Sequence, residues 1–281
     1  MKAPMPKPRP IVDIVPFFNE LDVLELRLRV LADVVSHHFI VQSMETHSGL
    51  PKPLSFNPED ERWRPWRDKL RNIVLPTLGL PPTDENRWTR ERVPREVIPS
   101  LLEQWRDDDL VLMSDVDEIP DPGLIEDYAD RVTGRTWVGF NAACYYYYLN
   151  LRVPRPYKCI ALTSVGYMKT QGGQYFRDRA FKPPIGPVPG GWHFSWLGGV
   201  EAMITKLSSF AHAEFDTEAL KDPTYLRRCV AERRSFFPST VGGHRPEHDG
   251  VFAQVALREL PLEVFLHPER YLRHLLPPEL R

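Results

Sequence analysis

The first 43 residues restrict the fold more than any other part of the chain. "IVDIV" (11–15) is a β-branched run that reads as a buried strand, and Pro16, with its fixed φ and missing donor, ends it. The next segment, "NELDVLELRLRVLADV", carries Leu21, Leu24, Leu28 and Leu31 at helical spacing. Asn19 stands where a cap is needed, Glu20 and Asp22 fall in the first turn, and Glu25 and Arg29 are one turn apart. "HHFIVQS" (37–43) is the following strand. Strand, amphipathic helix and strand make a βαβ unit, which implies a parallel sheet whose ligand loops lie at the carboxyl ends of the strands.

Later segments extend the alternation. "RVPREVIPSLLEQW" reads as helical despite Pro99, "DLVLMS" (109–114) as a strand buried on both faces, and "GLIEDYADRV" (123–132) as a short helix. "TWVGFNAACYYYYLNL" (136–151) is the longest β-like run, with "CIALTSVGYM" (159–168) able to pair with it. If extended, Tyr145 to Tyr148 point alternately to opposite faces, as an aromatic core strand or as a platform for a sugar or base. "GGWHFSW" (190–196) is another apolar aromatic segment, and helical patterns dominate after residue 199. The expectation is an α/β/α sandwich with a mainly parallel central sheet. Residues 1–10 form a proline-rich arm and 11–281 one catalytic domain, with a donor and metal half at 11–122 and an acceptor half at 123–281.

Bulk properties exclude several classes. A net charge of −2 and a pI near 6.5 leave no broad basic footprint for nucleic acid. Cys144, Cys159 and Cys229 are widely spaced with no CxxC pair, which argues against a disulfide framework or a zinc site. "MKAPMPKPRP" has no apolar region behind it, and no stretch reaches the roughly 18 apolar residues of a membrane span. The expectation is a cytoplasmic protein with no signal peptide or membrane anchor; the oligomeric state is not legible.

"LVLMSDVDEIPDPG" (110–123) raises the chemical question. Asp115 and Asp117 are two residues apart directly after a strand, so in an extended chain both carboxylates face one side, with Glu118 turned away. Such a pair is a socket for Mg²⁺ or Mn²⁺ carrying phosphate oxygens. The same residues also suit a solvated turn, since "DEIPDPG" is rich in turn formers. A phosphatase of the haloacid dehalogenase type also uses Asp-x-Asp, but on its first strand and followed by Thr or Val, not Glu-Ile-Pro.

Five segments together resemble glycosyltransferase family 17, the β-1,4-mannosyl-glycoprotein 4-β-N-acetylglucosaminyltransferase family. They are "PFFNELDVLELRL" (16–28), "SMETHSGLPKPLSF" (43–56), "DLVLMSDVDEIPDP" (109–122), "GWHFSW" (191–196) and "KLSSFAHAEFD" (206–216), in the family's order. The resemblance implies a GT-A-like fold, a UDP-sugar donor (UDP-N-acetylglucosamine), a glycan acceptor, a divalent cation on Asp115 and Asp117, and inversion at the anomeric carbon. Glu118 matches the acid that follows the metal motif and either orients the donor sugar or braces the turn. The family's animal members carry an N-terminal membrane anchor, from which this chain departs.

Bottom-up, the metal neutralises the departing diphosphate while a carboxylate base deprotonates the acceptor hydroxyl. Glu214 and Asp216 are the first candidates for the base and Asp178 a third, each equally suited to capping or surface pairing. His193 completes the metal shell or is a hydrogen-bonded core residue, and His212 is a weaker candidate. Pro16, Phe17, Asn19 and Glu20 lie where a nucleotide binds in a βαβ unit, with Asp115 beside them. Arg90, Arg92 or Arg95 suits a phosphate clamp or a solvated face, and Trp192, Trp196 and the tyrosines suit sugar stacking or the core. The competing class is a non-catalytic carbohydrate-binding protein that keeps the transferase fold.

Overall fold

The computed structural model describes residues 9–180, 182–237 and 250–280. Strand β1 (Ile11–Phe17) pairs in parallel with β2 (His37–Ser43) on one side, and helix α1 (Leu21–Val30) connects the two. β3 (Leu70–Leu75) extends the parallel half beyond β2; α2 (Asp84–Glu96) and α3 (Ile98–Leu101) then lead to β4 (Leu110–Met113), parallel to β1 on its other side. Every residue of β4 is buried, as its unbroken apolar run requires.

The second half is mainly antiparallel. After β5 (Glu118–Ile119) and α4 (Pro122–Ala129), β6 (Trp137–Tyr146) pairs antiparallel with β8 (Tyr157–Ser164), which pairs antiparallel with β4. β7 (Leu151–Arg152) pairs antiparallel with β6 across a four-residue return, too short for the crossover that a parallel pair needs. Helices α5 (Val165–Gln171) and α6 (Gly173–Arg179) then precede β9 (Ile185–Ser195), which lies parallel to β6 and holds β5 antiparallel. α7 (Gly199–Ser209), α8 (Pro223–Ala231), β10 (Ala253–Gln254) and α9 (Leu262–Leu266) complete the described elements. The sheet is therefore mixed, with its parallel part confined to β1, β2, β3 and β4, of which the sequence pattern foretells all but β3, and to the β6–β9 pair.

Helices cover both faces. Ile11, Leu110 and Leu112 pack towards Ile125 of α4 and Leu31 just after α1, whereas the alternate residues Val12, Val111 and Met113 pack towards Ile98 of α3, Met168 of α5 and Phe176 of α6. This is an α/β/α arrangement around a large mixed sheet. Among the described residues no helix is long and apolar enough to cross a membrane.

Three local expectations change. Helix α1 has Glu20, not Asn19, at its N-cap position, and Glu20 Oε2 instead accepts the Phe18 and Asn19 N–H groups at 3.2 and 3.0 Å. The tyrosine run does not stay extended: β6 ends at Tyr146, and Tyr147 turns the chain at φ 68°. Tyr145, Tyr146 and Tyr147 are all buried. The longest described strand is β9, hidden in the sequence by Pro187, Pro189 and its glycines, which its register shifts against β6 accommodate.

Candidate active site

The carboxyl ends of β1, β2 and β4 open into one cavity of about 310 Å³, a volume in the range of small-molecule sites. Pro16, Phe17 and Phe18 enter it from β1, Ser43 from β2, and Asp115, Asp117 and Glu118 from the segment after β4. Lys206 of α7 and His193 of β9 close the side facing the acids.

The acidic segment is a turn, not an extension of the strand. β4 stops at Met113, and Glu118 N–H donates back to the Asp115 carbonyl at 3.0 Å. Glu118 Oε2 in turn accepts the Asp115 N–H at 2.7 Å. The turn brings Glu118 inward, to Asp117 and His193, where the extended reading has it facing away. β5 begins at Glu118 and pairs it with His193 of β9, and Phe194 N–H donates to the Asp117 carbonyl at 2.8 Å. Sheet pairing thus aligns the two segments that carry the polar groups.

Asp117, Glu118 and His193 each offer one ligand atom within 4.8 Å of one another, so two oxygens and one imidazole nitrogen converge. His193 Nε2 lies 3.7 Å from Asp117 Oδ2, and Lys206 Nζ donates to the same oxygen at 3.4 Å. Burial pushes the Asp117 carboxyl up, but Lys206 and His193 outweigh it and bring it down to about 2. Burial opposes a charged His193, and the Cys144 sulfur and Asp117 overcome that, holding the imidazole well above its ordinary value.

Asp115 is placed differently. Arg95 Nη2 donates to its Oδ1 at 2.7 Å and Arg177 Nη2 to its Oδ2 at 2.9 Å, while Arg177 Nη1 also reaches both Glu118 oxygens at 2.8 and 3.0 Å. Burial raises the Asp115 carboxyl, and Arg177 and Arg95 more than reverse this, holding it well below the usual range. Beneath the turn, Arg27 of α1 is fully buried. It donates to both Asp13 oxygens at 2.8 and 2.6 Å, to Ser114 Oγ at 2.9 Å, and to the carbonyls of Glu118 and Asp115 at 2.7 and 3.1 Å. Both ends of the acidic turn are thereby tied to β1.

Of the other sequence candidates, Glu20 lines the cavity and Asn19 does not. Asp216 is held between Arg87 at 3.3 Å and Lys221 at 3.0 Å, and Glu214 accepts from His212 at 2.7 Å; both face a neighbouring groove rather than the central cavity. Asp178 is exposed and accepts from Gln174 at 2.8 Å, whereas its neighbour Arg177 reaches the acids. Arg90 is buried against Glu45 at 2.8 Å, Arg92 is exposed, and Arg95 meets Asp115. Trp192 donates to the Glu259 carbonyl outside the cavity, and Trp196 and Tyr146 line it while largely buried.

Arg177, Lys206, Arg27, His47 and Glu91 escape the sequence reading, although Lys206 opens one of the matching segments and Arg27 lies within another. His47 lines the cavity, and burial pushes its pKa down to about 4.

Comparison with known proteins agrees with the segments around the acidic turn. The β-1,4-mannosyl-glycoprotein 4-β-N-acetylglucosaminyltransferase of Rattus norvegicus is 23% identical over 263 residues, covering 81% of this chain and 48% of the relative. The chain thus spans about half the length of that relative. The model of glycosyltransferase family 17 matches residues 3–238, a span that holds the acidic turn, His193, Lys206 and both arginines on Asp115. The chain belongs to glycosyltransferase family 17.

Proposed function

We propose that the chain is an inverting, divalent-metal-dependent glycosyltransferase of GT-A-like fold that moves N-acetylglucosamine from UDP-N-acetylglucosamine to a hydroxyl of a glycan. The observation that carries this reading is the convergence of Asp117, Glu118 and His193 in a cavity at the carboxyl ends of parallel strands, within a chain of this family. Two carboxylates and an imidazole would suit Mn²⁺, for which imidazole is a better ligand than for Mg²⁺, with the cation displacing the proton that Cys144 and Asp117 favour on His193. Asp115 has both oxygens on arginines and Glu118 both on Arg177, so in this reading Asp117 is the leading ligand of the Asp-x-Asp pair and Asp115 the member that orients it. A bound cation supplies positive charge to the departing diphosphate.

The protein's own groups do the rest. Pro16 and Phe17 offer an apolar wall to the base of the nucleotide at the end of β1. Arg95 and Arg177 keep Asp115 ionised, Arg177 also fixes the direction of Glu118, and Lys206 adds a cation on the side of Asp117. The base falls to a group lining the cavity, which favours Glu91 and His47 over Glu214 and Asp216. His47 is a neutral imidazole at pH 7 that can accept a hydrogen bond from the acceptor hydroxyl, but a pKa pushed down to about 4 makes it a weak base, which leaves Glu91 as the first candidate.

Calorimetry with UDP tests the reading. UDP should bind in the presence of Mn²⁺, lose about a hundredfold in affinity with chelator or in Asp117→Asn, and UDP-N-acetylglucosamine should be turned over only by the metal-loaded protein. UDP binding indifferent to chelator and to Asp117→Asn would sink it, and glycan binding with no UDP binding would favour a carbohydrate-binding role.

A further inference from the structure

Beside the cavity runs a groove of about 490 Å³ between α2 and the segment 211–216. Trp88 and Ala211 line both spaces, so the groove adjoins the cavity with Trp88 on the border between them. Trp88 is 40% exposed, one of the few large apolar side chains that the fold leaves open to solvent.

The mount of this tryptophan is rigid. Arg87, one residue before it, donates to the Phe210 carbonyl at 3.2 Å and to Asp216 at 3.3 Å, tying α2 to the opposite wall. Arg90, two residues after it, is buried against Glu45 at 2.8 Å and also donates to the Leu80 carbonyl. The indole meets His212 nearly at right angles, with ring centroids 4.9 Å apart, and His212 in turn holds Glu214 at 2.7 Å. Asp84 and Glu214 both line the groove beyond the ring, and both are exposed.

An aromatic ring beside carboxylates matches the chemistry of a sugar. A pyranose presents a face of C–H bonds to an aromatic π-system and a rim of hydroxyl donors to carboxylate oxygens. A nucleotide diphosphate fits the groove poorly, because Asp84, Glu214 and Asp216 outnumber Arg87, its one cation among the described lining residues, which is already engaged by Asp216 and the Phe210 carbonyl. We infer that the groove is an oligosaccharide subsite: it holds the sugar units of the acceptor adjoining the one that reacts, stacked on Trp88 and hydrogen-bonded by Glu214 and Asp84. This rests on the transferase reading for the word acceptor, and on the groove alone for the class of ligand.

The test uses the whole chain. UDP affinity is measured first by calorimetry with Mn²⁺, and the protein with saturating UDP is then applied to an array of mono- and oligosaccharides. Oligosaccharides should be retained more tightly than their single sugars. Trp88→Ala should weaken that retention about tenfold, Trp88→Tyr should keep most of it, and Glu214→Gln should lose several-fold, with a melting temperature close to wild type in each as the measure of an intact fold. Wild-type protein that binds UDP but prefers no oligosaccharide, or Trp88→Ala protein that retains oligosaccharides like wild type, overturns the subsite. Oligosaccharide binding that depends on Trp88 without any UDP binding upholds the subsite and overturns the transferase reading instead.

Discussion

Asp13 sits fully buried in strand β1, where a charge survives only with a partner. Arg27 is that partner, bidentate on the carboxylate and reaching on to Ser114 and to two carbonyls of the acidic turn, while His38 Nδ1 lies 2.9 Å from Asp13 Oδ2. Burial raises the Asp13 carboxyl and Arg27 and His38 outweigh it, so its pKa is held well below the ordinary 3.8. A depressed carboxylate contributes stability that is present above the unfolded value and is lost as pH falls through the folded one. Arg27→Met should therefore cost about 3–5 kcal/mol near neutral pH, because it leaves Asp13 charged and buried. The difference from wild type should shrink as the pH falls towards and below 3.8. Without Arg27, burial lifts the Asp13 carboxyl and the variant takes up the proton first, while wild-type Asp13 stays ionised and loses its advantage over the unfolded chain. Urea unfolding of both proteins between pH 3 and 7 checks this, and a difference independent of pH would mean that packing, not charge, dominates. The same residues show what a sequence hides. Asp13 in "IVDIV" and Arg27 in "LELRLRV" are single charges among apolar residues, and nothing local pairs two residues 14 apart until α1 packs on β1.

Between elements, the pairing of β5 with β9 does the positioning. Glu118 faces His193 and Ile119 faces Trp192 in an antiparallel register of two residues. Gly191 makes that approach possible: at φ +95° a Cβ would stand 2.6 Å from the Ile119 carbonyl oxygen and 2.9 Å from Pro120 Cα. Gly191→Ala should lower stability by about 2 kcal/mol and separate His193 from Asp117 and Glu118. Mn²⁺ affinity, followed by paramagnetic relaxation of water protons, should fall at least tenfold in the variant; unchanged affinity would show that β9 tolerates the shift. Pattern reading finds α1 by its helical period and β1, β2 and β4 by their short apolar runs. It misses β5, which has two residues and exists only because β9 lies beside it, and β3, whose alternation is broken by Arg71 and Asn72.

At the scale of the molecule, the segment after residue 256 is part of the structure around α1, although the family match ends at 238. Val264 and Tyr271 pack against Val23 and Leu26, the Leu149 N–H donates to the His274 carbonyl at 2.8 Å, and Leu276 N–H donates to Asn150 at 2.7 Å. His274 Nε2 also lies 2.9 Å from Asp22 at the start of α1. Ending the chain at residue 256 should lower the melting temperature by more than about 10 °C, because it uncovers the apolar side of α1. Calorimetric melts of the full and shortened chains decide it, and equal melting temperatures would make the segment an appendage.

The sequence by itself determined the βαβ core and the place of the acidic segment at a strand end, because apolar period and turn chemistry are local properties. It also carried the resemblance that the family match upholds, through short segments kept in order. Only the tertiary structure decided the division of labour among the acids. Asp115 and Asp117 are equivalent as spacing, but a turn at Val116–Asp117 sends one to Arg95 and Arg177 and the other to His193 and Lys206. It likewise decided that Glu214 and Asp216 line a groove beside the cavity and that Trp88 lines both. Each of these outcomes depends on partners 20 to 129 residues away, and contacts at that range exist only once the sheet has closed.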